Sequence, residues 1–241
     1  MARARLGQAG GFAVAAAGTV ALMVGCGSPP PTSVTGQALP PFAAQVQAVR
    51  EGRSDRIEAV EKFSPEDWAS LRALSGLRVL LLQHGVAGDA EAEILATLPD
   101  LERLVLRHSP LSDAGFATLA RCRSLEDVNV PQAACTAAGI TSLAELPKLK
   151  SLRLGGVNLT GPDVARAIAR LPALTSLHLI DVAIGDDGLD ALSEVATLRN
   201  LYLDGAGVSD AAWERYFGAR PGVHVHVDQA HHDRDPRRGH D

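Results

Sequence analysis

From Leu77 onward, aliphatic residues return along the chain at a fixed pitch. Segments beginning at Leu77, Leu101, Leu125, Leu149, Leu174 and Leu198 read LRVLLL, LERLVL, LEDVNV, LKSLRL, LTSLHL and LRNLYL, spaced 24, 24, 24, 25 and 24 residues apart. Each carries an aliphatic side chain at its first, fourth and sixth positions. Alternation at the fourth and sixth positions predicts a short strand with the intervening residue on its opposite face. Five residues past the strand come Leu111, Cys135, Leu159, Ile184 and Val208, followed by Ser112, Thr136, Thr160, Gly185 and Ser209. These last are helix N-cap residue types. Phe116, Ile140, Val164, Leu189 and Trp213 then open a short helix that continues to Leu119, Leu143, Ile168, Leu192 and Tyr216. Each unit therefore predicts a strand, a bend and a helix leading back to the next strand, which gives a parallel sheet with one strand per unit.

A single unit leaves its apolar face uncovered, so folding requires each layer to be covered by the next. Strands stack about 4.8 Å apart while helices need about 10 Å. The helix side must be the wider one, and the strand face concave. This organisation resembles the leucine-rich-repeat family over roughly residues 57–228. The resemblance implies an α/β fold: a right-handed leucine-rich-repeat solenoid, parallel sheet on the concave face and short helices on the convex face. One feature departs from the family's common form, which places Asn three residues beyond the last strand leucine. Here those places hold Gly85, Ser109, Ala133, Val157, Val182 and Ala206, so no asparagine ladder is expected. With the Ser-Asp-x-Gly turn at Ser112–Gly115, the chain more closely resembles ribonuclease-inhibitor-like and F-box-type repeats and many bacterial exported ones.

The array needs caps. Phe42, Val46 and Val49 fall on one face of a helix in PFAAQVQAVREG, and Ser64 and Trp68 occupy the register of Ser112 and Phe116 in an irregular first repeat. At the other end Trp213, Tyr216 and Phe217 enlarge the last helix, and VHVHV is expected to close the sheet as an exposed edge strand. The repeat domain with its N-terminal cap is assigned to residues 42–228. Residues 229–241, QAHHDRDPRRGHD, read as a disordered tail.

Upstream of the array the pattern changes. Arg3 and Arg5 precede the small and apolar run GGFAVAAAGTVALMVG, which ends at Cys26. That is the outline of a secretory signal over residues 1–25, too short to span a bilayer comfortably. The end of the run, LMVGC, resembles a bacterial lipobox, and the resemblance implies lipidation of Cys26 and a membrane-anchored lipoprotein of the bacterial cell envelope. Residues 26–41 contain five prolines and no apolar period, which reads as an extended tether.

Composition narrows the function classes. The 241 residues carry 23 Lys and Arg against 28 Asp and Glu, with a formal net charge of −5. An acidic chain without a basic stripe disfavours a nucleic-acid partner. No zinc-protease helix, serine elbow or phosphate loop motif occurs in the sequence, and no cofactor is expected. Cys122 and Cys135 fall in different apolar layers and are expected as separate buried thiols. The most suggestive stretch, LTSLHLIDVAIGDDGLDAL at 174–192, holds His178, Asp181, Asp186, Asp187 and Asp190, but the register points them in different directions. No catalytic residues are therefore assigned.

The free positions between strand leucines form columns across the concave face. One reads Leu81, Val105, Asn129, Arg153, His178, Tyr202, His226; its neighbour reads Gln83, Arg107, Pro131, Gly155, Ile180, Asp204, Asp228. Arg153, His178, Tyr202, Asp204 and His226 form a mixed polar patch of the kind that recognises a protein or peptide. They are the candidate partner-binding residues of a non-catalytic module that is expected to need no cofactor and to be a monomer. A structural envelope protein with no specific partner for this face is the alternative. Metal capture by His224, His226 and Asp228 beside Asp204, with His231 and His232 following closely, is weighed and not adopted, because residues two apart on a strand lie about 6.5 Å apart and nothing in the sequence supplies a second shell.

Overall fold

A computed structural model describes residues 39–238 apart from Gly85. The expected signal segment 1–25, Cys26 and nearly all of the expected tether 26–41 lie outside the described residues. No described helix is long and apolar enough to cross a membrane.

The chain opens with α1 (Phe42–Arg50), β1 (Arg56–Ala59) and α2 (Pro65–Ser70). The strands β2 (Val79–Leu82), β3 (Arg103–Leu106), β4 (Asp127–Val130), β5 (Ser151–Gly155), β6 (Ser176–Ile180), β7 (Asn200–Leu203) and β8 (His224–Val227) follow, with β9 (Ala230–His231) at the end. Between them run α3 (Asp89–Leu95), α4 (Asp113–Leu119), α5 (Ala137–Ser142), α6 (Pro162–Ile168), α7 (Gly185–Ser193) and α8 (Asp210–Ala219). The strands form one sheet in chain order, parallel from β1 to β8. The α/β solenoid expected from the repeat is the fold observed.

Register follows the repeat period. Leu80, Leu104, Val128, Leu152, Leu177, Leu201 and Val225 are successive cross-strand neighbours, none more than 1% exposed. They belong to one continuous apolar core with Phe116, Ile140, Val164, Leu189 and Trp213 from the helices. Such a core has no independent sub-units, so any one layer depends on both neighbours.

The turns explain how the stack holds without asparagines. The Asp113 carboxylate accepts hydrogen bonds from the Thr136 N–H (2.7 Å), the Thr136 hydroxyl (2.8 Å) and the Gly139 N–H (2.9 Å) of the following repeat. Asp89 likewise accepts from the N–H and hydroxyl of Ser112, and Asp186 from those of Ser209. Each capping Ser or Thr thus bonds its own helix and is itself held by the preceding repeat. The glycine of the turn makes room for this carboxylate: a Cβ on Gly139 would lie 2.6 Å from Asp113 Oδ1, and one on Gly115 2.4 Å from Asp89 Oδ1. At these three turns an aspartate ladder on the helix side ties one repeat to the next where no asparagine is available.

Ser64, Ser112, Thr136 and Ser209 cap their helices as expected. Two units differ. Gly161 (φ 78°), not Thr160, precedes α6, because Pro162 occupies its first position and the turn needs a left-handed residue. α7 begins at Gly185 itself, with Ile184 before it.

Both sheet edges are covered. On β1, the Gln45 side-chain carbonyl accepts from the Glu58 N–H (2.8 Å) while its amide donates to the Glu58 carbonyl (2.9 Å). One side chain thereby imitates a neighbouring strand. Phe42, Phe63 and Trp68 pack together in tilted and edge-on contacts, with ring centroids 4.4 and 5.2 Å apart. At the other end the expected exposed edge is corrected: β9 pairs antiparallel with β8. Left-handed φ at Asp228 (49°) and Gln229 (66°) reverses the chain there. The expectation of a disordered tail likewise gives way over its described part, since Asp235 is only 5% exposed.

Candidate functional site

The central concave column is as the period places it: Arg153, His178, Tyr202 and His226 are direct cross-strand neighbours on β5 to β8. Asp204 lies just past β7 and reaches sideways, its Oδ2 3.0 Å from His178 Nε2. Both side chains are largely covered, at 21% and 16% exposure. Burial pulls the His178 pKa below its ordinary value; the hydrogen bond to Asp204 opposes this, and the nearby Arg153 charge adds to it. At neutral pH the ring is therefore an uncharged hydrogen-bonding group. The Tyr202 ring packs 5.5 Å from His178 on one side and 5.1 Å from His226 on the other.

Arg153 is the neighbour of His178 in the column, on β5. Burial, followed by repulsion from Arg107, lowers its pKa, while Asp204 partly offsets both. Arg107 Nε, Asn129 Oδ1 and Arg153 Nε are shielded from solvent and have no hydrogen-bond partner among the described residues. A buried polar atom without a partner is costly, so these three mark where the concave face has hydrogen-bonding capacity left over. Arg107 and Asn129 were placed in the columns by the sequence but not singled out. The signal available was two arginines flanking an asparagine on adjacent strands.

The stretch 174–192 disperses as its register requires. Asp186 holds Ser209, Asp190 pairs with Arg215 (2.8 Å), and Asp181 sits in a left-handed turn (φ 53°). Only His178 belongs to the concave patch. Cys122 and Cys135 are separate, buried and free. Burial pushes their thiols up to about 11 and about 12.

His226 is the exception among the five candidates. It is 1% exposed, covered by β9, and has no surface to offer a docked chain. Its ring instead lies 4.6 Å from His224 and 4.1 Å from His231. Asp235 joins them, with Oδ2 2.9 Å from His224 Nδ1 and 2.5 Å from His231 Nδ1. The Asp228 carboxylate, grouped with these histidines on spacing alone, accepts from the Gly205 N–H (2.8 Å) in the turn instead. His231 and Asp235 could not be placed from the sequence, because the hairpin that returns them falls outside the repeat.

No protein-family model matches the chain, and no curated protein matches it significantly. Solved structures with a similar fold include a TDR receptor, with 13% identity and a TM-score of 0.48, covering 76% of this chain and 31% of that one. Another is the Arabidopsis receptor kinase HAESA LRR ectodomain in complex with an N-terminally extended IDA peptide hormone, at 16% identity, a TM-score of 0.38 and coverage of 63% and 36%. A third is an internalin, InlF, from Listeria monocytogenes, at 17% identity, a TM-score of 0.40 and coverage of 68% and 57%. The chain spans about a third of the two receptors' length and somewhat over half of the internalin's.

Proposed function

We propose that the chain is a non-catalytic module of leucine-rich-repeat type that binds a protein or peptide along its concave face. The observation that carries this reading is the run of unused hydrogen-bonding capacity at Arg107, Asn129 and Arg153, continuous with the half-buried His178–Asp204–Tyr202 patch. Two guanidinium groups beside an amide suit a carboxylate or backbone carbonyls of an extended segment. The Tyr202 ring, in turn, suits an apolar side chain next to them. His178 and Asp204 satisfy each other and fix the wall against which such a segment would lie.

The sequence supports an address as well. The signal-like segment and the lipobox likeness at Cys26 support the reading of an exported lipoprotein of the bacterial cell envelope, with the proline-rich stretch as the tether between anchor and repeat domain. Radioactive palmitate should label the wild type and not Cys26→Ala; equal incorporation rejects the anchor. Co-purification from detergent-solubilised membranes tests the binding face. Arg153→Glu and Tyr202→Ala should each remove partners that the wild type retains, and an unchanged set of partners from both variants would refute the concave site.

A further inference from the structure

The C-terminal hairpin gathers side chains that neither the repeat nor the concave site uses. β8 presents His224 and His226 two residues apart on one face, and β9 sets His231 directly opposite His226. Asp235 arrives one turn later. One ligand atom from each of the four lies within 4.8 Å of all the others. His224, His226 and Asp235 are 5%, 1% and 5% exposed. The carboxylate is oriented: Oδ1 accepts from the Arg237 N–H (3.0 Å), which leaves Oδ2 facing the rings.

We propose that His224, His226, His231 and Asp235 form a closed binding site for a divalent transition-metal ion of the zinc type, which fastens β9 and the C-terminal turn onto the last parallel strand. Three imidazole nitrogens and one carboxylate oxygen are a donor set that borderline metals prefer over hard cations such as magnesium. Bonds of about 2.1 Å in a tetrahedron put donors about 3.4 Å apart, so the present spread closes with side-chain rotations on the order of 1 Å. The Arg237 N–H supplies the outer hydrogen bond that orients the carboxylate, as ligands in metal sites usually have. The two positions two apart on β8 do not have to bridge the strand spacing by themselves, because β9 and Asp235 approach from the other side. That resolves the geometric objection raised by the sequence alone.

The test uses the full, untagged chain in detergent, stripped with chelator and titrated with zinc ion. One equivalent should bind, and at a hundredfold excess over Kd the thermal midpoint should rise by roughly 5–10 °C, reversed by chelator. Asp235→Asn and His231→Gln should each weaken zinc binding at least tenfold, whereas a His84→Gln/His108→Gln variant at exposed histidines should bind like the wild type. Cobalt loaded into the wild type should give the intense visible bands of a four-coordinate ion, a readout that does not depend on any variant folding. The proposal is overturned if cobalt gives a six-coordinate spectrum, if no zinc binds, or if Asp235→Asn and His231→Gln bind as tightly as the wild type.

Discussion

The aspartate ladder makes a quantitative prediction at Asp113. Truncation to alanine removes three hydrogen bonds to the next repeat: two from Thr136 and one from the buried Gly139 N–H. At a net ~0.5–1.5 kcal/mol each the sum spans about 1.5–4.5 kcal/mol, and water reaching the turn favours the lower half, about 1.5–3 kcal/mol. Asp163 occupies a similar place in the first turn of α6 but is 77% exposed and, among the described residues, pairs with Arg166 on its own helix. Asp163→Ala should therefore change stability by no more than about 0.5 kcal/mol. Gly139→Ala sharpens the test, since helix propensity alone makes it stabilising by about 1 kcal/mol. The added Cβ would lie 2.6 Å from Asp113 Oδ1 and 3.0 Å from its Cα, so the net effect should be destabilising. Because both changes act on one contact, the double variant should lose less than the sum of the two. Urea unfolding followed by the fluorescence of Trp68 and Trp213, near opposite ends of the stack, reads all of these. Hydrogen bonds from Thr136 hold the Asp113 carboxyl below the usual carboxylate range. Its contribution is complete above the unfolded-state value of about 3.9 and is lost as pH falls through the native one, so the gap between wild type and Asp113→Ala should close in acid. The ladder argument is refuted if Asp113→Ala costs no more than Asp163→Ala, or if Gly139→Ala stabilises.

Leu177 is fully buried between Leu152 and Leu201. Leu177→Ala should cost about 2–5 kcal/mol by denaturant titration, and a loss under about 1 kcal/mol would contradict the shared core. His178 has a native pKa below that of the unfolded chain, so the unfolded state takes up its proton first and stability falls as pH drops below about 6.5 toward the native value. That part of the pH dependence should be absent from His178→Gln; a His178→Gln profile identical to wild type between pH 7.5 and 5.5 rejects the assignment. Cys122 and Cys135 should resist a thiol reagent at pH 8 in the native chain and react on unfolding, as peptide mapping would show. Rapid labelling of either in the native chain would contradict their burial.

Features that repeat were legible in the sequence, and features that close the repeat were not. Six aligned segments gave the strand register, the concave columns and the buried positions of both cysteines, because aliphatic periodicity is itself the packing rule. The Ser-Asp-x-Gly turn was visible as a motif. Its purpose was not, since the aspartate bonds a residue 23 positions onward and only the stacked geometry brings the two together. Gln45 on the β1 edge and the β8–β9 hairpin are single events with no period to reveal them. The hairpin depends on two non-glycine residues in left-handed conformations, Asp228 and Gln229, which local propensity argues against. For that reason His226 reads as a concave surface residue in the sequence and lies buried among imidazoles in the fold.

The central claim is that the unused polar capacity on the concave face marks the binding surface, and site-specific photocrosslinking tests it most directly. A photoreactive residue at Asn129 or Tyr202, on the sheet face, should give discrete protein adducts in intact cells. The same residue at Arg166 or Glu194, on the helix side, should give none. Equal adducts from both sides, or adducts from the helix side alone, would contradict the account.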